Sequence, residues 1–315
     1  MNHRLRSGHA KGFPVKKIIG IVLILVTAIL LIRSALPKRS GAIVSPIPDE
    51  KEETASFFSR LFMKKKTPED LRRKIQETVD NRLRNYSVYV KDFNSDFVVG
   101  INESVIFTAA SVNKVPIVAA LYYFAEKGEI DLDERVTIQY RDIQDFGTGS
   151  IRYDPPGSVY AIKTLAKLTI EQSDNTAAYV LGTYTVGFEK IQALMGEWGL
   201  TQTDMINNKT SNRDISILFE KIYKGEVTNE ASTQEMLAFF KDTDFEDRLP
   251  ALLPKAVSVY HKIGNEIAVM HDAGFVTDGK TTYYIGVFTN DITDEEETIK
   301  IIAEISKLVY YYLRR

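Results

Sequence analysis

Cysteine is absent from the 315 residues. That excludes disulfide staples and any thiolate nucleophile, though it assigns no compartment, since many exported chains also lack cysteine. Histidine is scarce: His3, His9, His261 and His271 are the four, and two of them lie in the N-terminal tail. A dense histidine metal site has no basis here. No G-x-G-x-x-G, no P-loop pattern and no internal repeat occurs, so neither a nucleotide nor another cofactor is called for. Acids are missing from residues 1–48, which carry eight lysines and arginines. Taking that +8 from the net charge of −2 leaves −10 on the remainder. A basic tail before an acidic body argues against nucleic-acid binding by the body and suits anionic lipid headgroups.

What is present begins with an apolar run, Ile18–Ile32, free of charge. Fifteen residues of helix span about 22 Å, short of a roughly 30 Å hydrocarbon core. Lys16, Lys17 and Arg33 can snorkel, and Val15, Ala35 and Leu36 lengthen the span. The favoured reading is an uncleaved single-pass anchor over 18–36, with a basic cytoplasmic tail at 1–17 and an extracytoplasmic body. A cleaved signal peptide and a soluble helix are the alternatives. Residues 37–66, with Pro46, Pro48, an acidic run at 49–53 and Lys64-Lys65-Lys66, read as a tether. The Phe57-Phe58 and Leu61-Phe62 pairs form a sticky patch within it.

The body, 67–315, is long enough to bury a sizeable core without staples. Its 44% hydrophobic and 26% charged residues are those of the whole chain and ordinary for a globular protein. Thr67-Pro68-Glu69-Asp70 reads as a capped helix start, followed by Leu71, Ile75, Val79 and Leu83 at helical spacing. Strand-like runs at 86–91 and 97–101 flank Asn94-Ser95-Asp96, a hairpin. Helical stretches are expected at 112–127, 162–171, 175–185, 188–198 and 215–223. Strands return at 256–262, 267–276 and 281–288. A last helix opens with Thr293-Asp294-Glu295-Glu296 and sets Ile299, Ile302, Ile305 and Val309 on one side. The expectation is an α/β (α+β) fold: one antiparallel sheet from both ends of the body, flanked by helices, with a helical lobe and a cleft between.

Three short motifs carry the chemistry. Ser111-Val112-Asn113-Lys114 is the single Ser-x-x-Lys in the chain, set where strand gives way to helix. Residues three apart share a helix face, so Lys114 would sit beside Ser111. A serine hydroxyl needs a base to become a nucleophile. A lysine serves when burial lowers its pKa. The alternative is a serine cap followed by an exposed lysine. Ser173-Asp174-Asn175 is either a helix cap or a site element in which Ser173 relays a proton, Asp174 holds the turn and Asn175 binds a substrate amide. Lys262-Ile263-Gly264-Asn265 is either an ordinary Lys-x-Gly of a strand beside a hairpin or a site element in which Lys262 attracts a substrate carboxylate and Gly264 allows close approach. The Asn265 N–H would join the Ser111 N–H as an oxyanion hole.

Ser-x-x-Lys, Ser-Asp-Asn and Lys-x-Gly in this order resemble the signature of class A β-lactamases and penicillin-binding proteins. The resemblance spans about 67–315. It implies a β-lactamase-like fold and an acyl-enzyme on Ser111, formed from a β-lactam or a cell-wall peptide-like amide. Three departures stand out. The glutamate that class A enzymes use for deacylation has no counterpart in Trp198–Thr210, where Asp204 is the only acid. Ile263 replaces the usual Thr or Ser. His271 falls near where many class A enzymes place a carboxylate-binding arginine and would take that role when protonated; a satisfied structural histidine beside Asp272 is the alternative. A slowly deacylating penicillin-binding or cell-wall-binding sensor domain is the alternative to a hydrolase.

Overall fold

In the computed structural model, residues 66–314 are described. The expected basic tail at 1–17, the span at 18–36 and all of the 37–66 tether but Lys66 lie outside them. Among the described residues, no helix is long and apolar enough to cross a membrane.

Helix α1 is Pro68–Val79, with the Thr67 hydroxyl accepting from Asp70 N. Two strands follow, β1 at Asn85–Asp92 and β2 at Val98–Ile101, paired antiparallel as the hairpin reading expected. Three long strands close the chain: β7 at Ser258–Glu266, β8 at Val269–Thr277 and β9 at Thr282–Asn290. The sheet order is β2-β1-β9-β8-β7, and every pairing is antiparallel. The N- and C-terminal strands thus meet between β1 and β9, with Asn85 opposite Asn290.

Both faces of this sheet are covered. Val88, Val90, Ile285 and Val287 pack under α1 and the last helix, Glu295–Leu313. Tyr89, Ala273, Phe275, Tyr284 and Phe288 join the core beneath the helical middle. β8 and β9 are accordingly buried along all but their last residue, and alternation is lost from them.

The helical middle is built around α2, Lys114–Glu126, whose residues from Lys114 to Tyr122 are all buried. Pro116 fits its first turn, where an N–H has no helical partner anyway. Around it lie α3 at Ile162–Glu171, α4 at Asn175–Val180, α5 at Phe188–Glu197 and α6 at Asn212–Tyr223. Helix α6 begins three residues before its expected start because the Ser211 hydroxyl caps it by accepting from Asp214 N at 3.1 Å. A helix over Glu230–Phe239 escaped the sequence reading. So did two short ribbons, β3 at Ile106–Thr108 with β6 at Lys209–Ser211, and β4 at Arg135–Thr137 with β5 at Val159–Ala161. Each of those strands has three residues, too few to show a period.

Candidate active site

Ser111 lies in a 3-10 turn, Ala110–Asn113, that leads directly into α2. The residue before it, Ala110, holds φ at 48°, in the left-handed region that a Cβ disfavours. Non-glycine residues persist in that region only where their surroundings over-determine them. Here the Ala109 N–H donates to Asn208 O at 2.9 Å, and α2 is fixed in the core. Ser111 itself is only partly buried, and its hydroxyl makes no hydrogen bond among the described residues.

Lys114 is 7% exposed and points at the Ser-Asp-Asn turn. Its Nζ donates to Ser173 O at 2.6 Å, to Ser173 Oγ at 3.2 Å and to Asn175 Oδ1 at 2.6 Å. Lys262 is 2% exposed, and its Nζ donates to the same Ser173 Oγ at 2.9 Å and to Ile263 O at 2.9 Å. Ser173 therefore bridges two buried amines. With both lone pairs of its oxygen taken, its own hydrogen is left for a third group.

Burial sets the protonation. Desolvation lowers Lys114 to about 7, against a smaller upward pull from Asp174. A helix N-terminus is also the wrong end for a cation. Lys262 is pushed well below the ordinary lysine range, first by burial and then by the charge on Lys114. Asp272 pulls it back up and Arg248 pushes it further down.

Asp174 does hold the turn. It caps α4 by accepting from Ala177 N at 2.8 Å and also takes Ile151 N at 2.9 Å. Asn175 donates from Nδ2 to Phe146 O at 2.9 Å, which locks its amide so that Oδ1 faces Lys114. Thr148, missed in the sequence, donates its hydroxyl to Ser173 O at 2.9 Å. Its Gly147-Thr148-Gly149 setting was the available signal.

Gly264 is needed for packing. A Cβ there would lie 3.0 Å from Ala109 O and 3.0 Å from Val112 Cγ2. The glycine lets β7 run against the turn that carries Ser111. Asn265 follows it at the exposed end of the strand.

His271 requires a correction. It was expected to hold a substrate carboxylate, but it is fully buried, stacked on Phe288 and edge-on to Phe107. Its Nδ1 accepts from Thr289 N at 3.0 Å, so its Nε2–H donates to Thr108 O at 2.7 Å. Burial lowers it to about 4, and the ring is neutral with no nitrogen to spare. It ties β8 to the strand before Ser111. A second buried group, also missed, lies at the strand pair of Lys262: the His261 Nδ1 meets Asp272 Oδ1 at 2.7 Å, and Arg248 donates to His271 O at 2.8 Å. Burial opposes charge on His261, but Asp272 and Glu246 outweigh it and raise it to about 9.

The 198–210 segment offers no free acid. Asp204 accepts from the N–H groups of Ile206 and Asn207 at 2.9 and 2.8 Å and from Asn207 Nδ2 at 2.8 Å. Asp214, behind it on α6, is spent on Gln202 N at 2.7 Å and Thr203 Oγ1 at 2.9 Å. Among the described residues no group of three acids or histidines is placed to hold a metal ion.

Known proteins are similar to this chain in sequence and fold. Residues 70–313 match the family described as the β-lactamase enzyme family. The β-lactamase VEB-1 of Pseudomonas aeruginosa is 23% identical over 286 residues, 82% of this chain and 95% of the relative. A β-lactamase of Bacteroides uniformis is 27% identical over 244 residues, 68% of this chain and 81% of its own. The solved structure of PBP-A has a TM-score of 0.71 at 30% identity, over 77% of this chain and 95% of that one. A mutant of it, 28% identical, is an acyl-enzyme complex with penicillin G. The TLA-1 extended-spectrum β-lactamase, at 23% identity and a TM-score of 0.73 over 80% of this chain and all of its own, shares the fold. On the match over 70–313 and the 30% identity to PBP-A, this chain belongs to the β-lactamase enzyme family and is a serine hydrolase of the acyl-enzyme type.

Proposed function

We propose that Ser111 is the nucleophile acylated by β-lactams or by peptidoglycan-like amides, in a body held outside the cytoplasmic membrane by an anchor at residues 18–36. One observation carries the catalytic part: the Ser173 hydroxyl is held between the buried amines of Lys114 and Lys262, with Lys114 one helical turn from Ser111. Lys114, kept near neutrality by burial, takes the Ser111 proton. Ser173 passes a proton to the leaving nitrogen. Asn175 holds the substrate amide, and Lys262 meets its carboxylate. The Ser111 and Asn265 N–H groups receive the developing oxyanion, an arrangement supported by the close packing of Gly264 on the Ala109–Val112 turn.

A fluorescent penicillin tests the assignment. The wild type takes a covalent label and Ser111→Ala does not. An unlabelled wild type, or undiminished label on Ser111→Ala, refutes it. Membrane attachment is tested separately: full-length protein sediments with membranes and is cut by external protease, and deletion of residues 1–36 releases it.

A second reading, acylation with slow release, is favoured by the tied-up Asp204 and Asp214. Without a carboxylate to activate water, the acyl-enzyme outlives its formation. Intact-mass measurement after a β-lactam pulse separates the two, since a hydrolase loses the adduct within seconds and a sensor keeps it.

A further inference from the structure

A groove of about 400 Å³ opens beside the Ser-Asp-Asn turn, lined by Gly147, Gly149, Arg152, Tyr153, Asp244 and Phe245 among others. Its wall is shared with the candidate catalytic network. Thr148 donates to the same Ser173 carbonyl that Lys114 reaches. A Cβ on Gly147 would lie 2.4 Å from Asn175 Nδ2, and one on Gly149 would lie 2.2 Å from Asp174 Oδ2. Both glycines have positive φ, 71° and 113°. They press this loop flat against Ser173–Asn175, so the groove wall and the candidate catalytic turn share one backbone contact.

Arg152 is the cation of this groove, and its charge is unmet. Its guanidinium donates to Tyr153 OH at 2.6 Å and lies 4.7 Å from the Tyr153 ring centre. No carboxylate pairs with it among the described residues. Asp154, its near neighbour in sequence, is engaged by the Tyr160 hydroxyl. The Arg152 Nε is buried and has no acceptor among the described residues. Guanidinium presents five N–H donors in a planar fork that matches a carboxylate. A buried donor without an acceptor is rare in folded proteins and asks for a partner. Asp244, exposed in the same groove, opposes an anion there but makes no ion pair with Arg152, which is the one cation of the lining. The exposed ring of Tyr153 gives the rim an apolar character.

We propose that this groove is a substrate subsite in which Arg152 receives a second carboxylate, carried on the acyl side of the scissile amide. The preferred substrate is then a dianion, with one carboxylate at Lys262 and the other at Arg152. This rests on the acylation of Ser111 proposed above.

The test uses matched penicillins that share one nucleus, with butanoyl against succinyl and hexanoyl against adipoyl side chains. Second-order acylation constants come from competition with the fluorescent penicillin. In the wild type one carboxylated member of a pair acylates about tenfold faster than its neutral partner, the size of a charge-assisted bidentate contact. Arg152→Met brings that ratio to about one, Arg152→Glu brings it below one, and Asp244→Asn raises it. Failure of the fluorescent penicillin to label the wild type overturns both proposals. Normal labelling with a wild-type ratio near one in both pairs, or a ratio unmoved by the Arg152 variants, overturns the subsite alone.

Discussion

If Lys114 is the base, acylation must follow its titration. At a pKa of about 7, set mainly by desolvation, the amine is mostly charged at pH 6 and mostly neutral at pH 8. A tenfold change in the ratio of forms per pH unit makes the neutral fraction about 9% at pH 6 and about 91% at pH 8. The second-order rate constant for labelling by the fluorescent penicillin should therefore rise about tenfold between these values and level off above pH 8. An ordinary lysine would still be gaining tenfold per unit at pH 9. The assay is quenched-time-point labelling in buffers of constant ionic strength. The Asp174→Asn variant is the internal control. Asp174 is the charge that pulls Lys114 upward, so its loss moves the midpoint to lower pH. A flat profile from pH 6 to 9, or a rise that continues past pH 9, refutes the assignment of Lys114 as the base.

Three further outcomes are expected. Gly264→Ala places a methyl at 3.0 Å from Ala109 O and Val112 Cγ2, so acylation falls at least tenfold while the far-UV circular dichroism spectrum is kept. Thr148→Val removes the 2.9 Å hydrogen bond to Ser173 O and costs about 1 kcal/mol in urea unfolding. His261 is raised to about 9 by Asp272 and Glu246, so its contribution is complete below its unfolded pKa of about 6.5 and lost as pH rises through about 9. The stability gap between wild type and His261→Gln, from urea melts at several pH values, should shrink across that window.

The sequence made the fold legible where periods were long and caps explicit. Thr67 caps its helix as read, the last helix is capped by Asp294, one residue past the Thr293 of the capping-box pattern, and the three C-terminal strands fall within a few residues of their expected bounds. Three-residue strands and the Glu230–Phe239 helix carried too little pattern to find. Of the site, the motif order pointed to Lys114, Ser173, Asn175 and Lys262, and these four meet. What no motif encodes is depth. Nothing in the spacing shows that His271 is sealed between Phe107 and Phe288, so of its two readings the structural one holds and the carboxylate ligand fails. Arg248 came from a loop with no periodicity at all, yet its buried charge reaches Lys262.

The replacement of Thr or Ser by Ile263 acquires meaning from the same burial. Two amines share Ser173 Oγ in a site where each charge disfavours the other. Before substrate arrives, the pair gains by holding one proton fewer. On the proposed reading, a carboxylate beside Lys262 reverses the bias there, because an anion at hydrogen-bond range favours the charged ammonium. A proton then settles on Lys262, its charge disfavours one on Lys114, and the base is left neutral beside Ser111. A hydroxyl at position 263 would share that anion and weaken its hold on Lys262; the apolar Ile263 leaves the lysine as its partner. Substrate charge and base activation are thereby linked, so an esterified penicillin should lose acylation rate as well as affinity, most severely below pH 7 where Lys114 carries its proton.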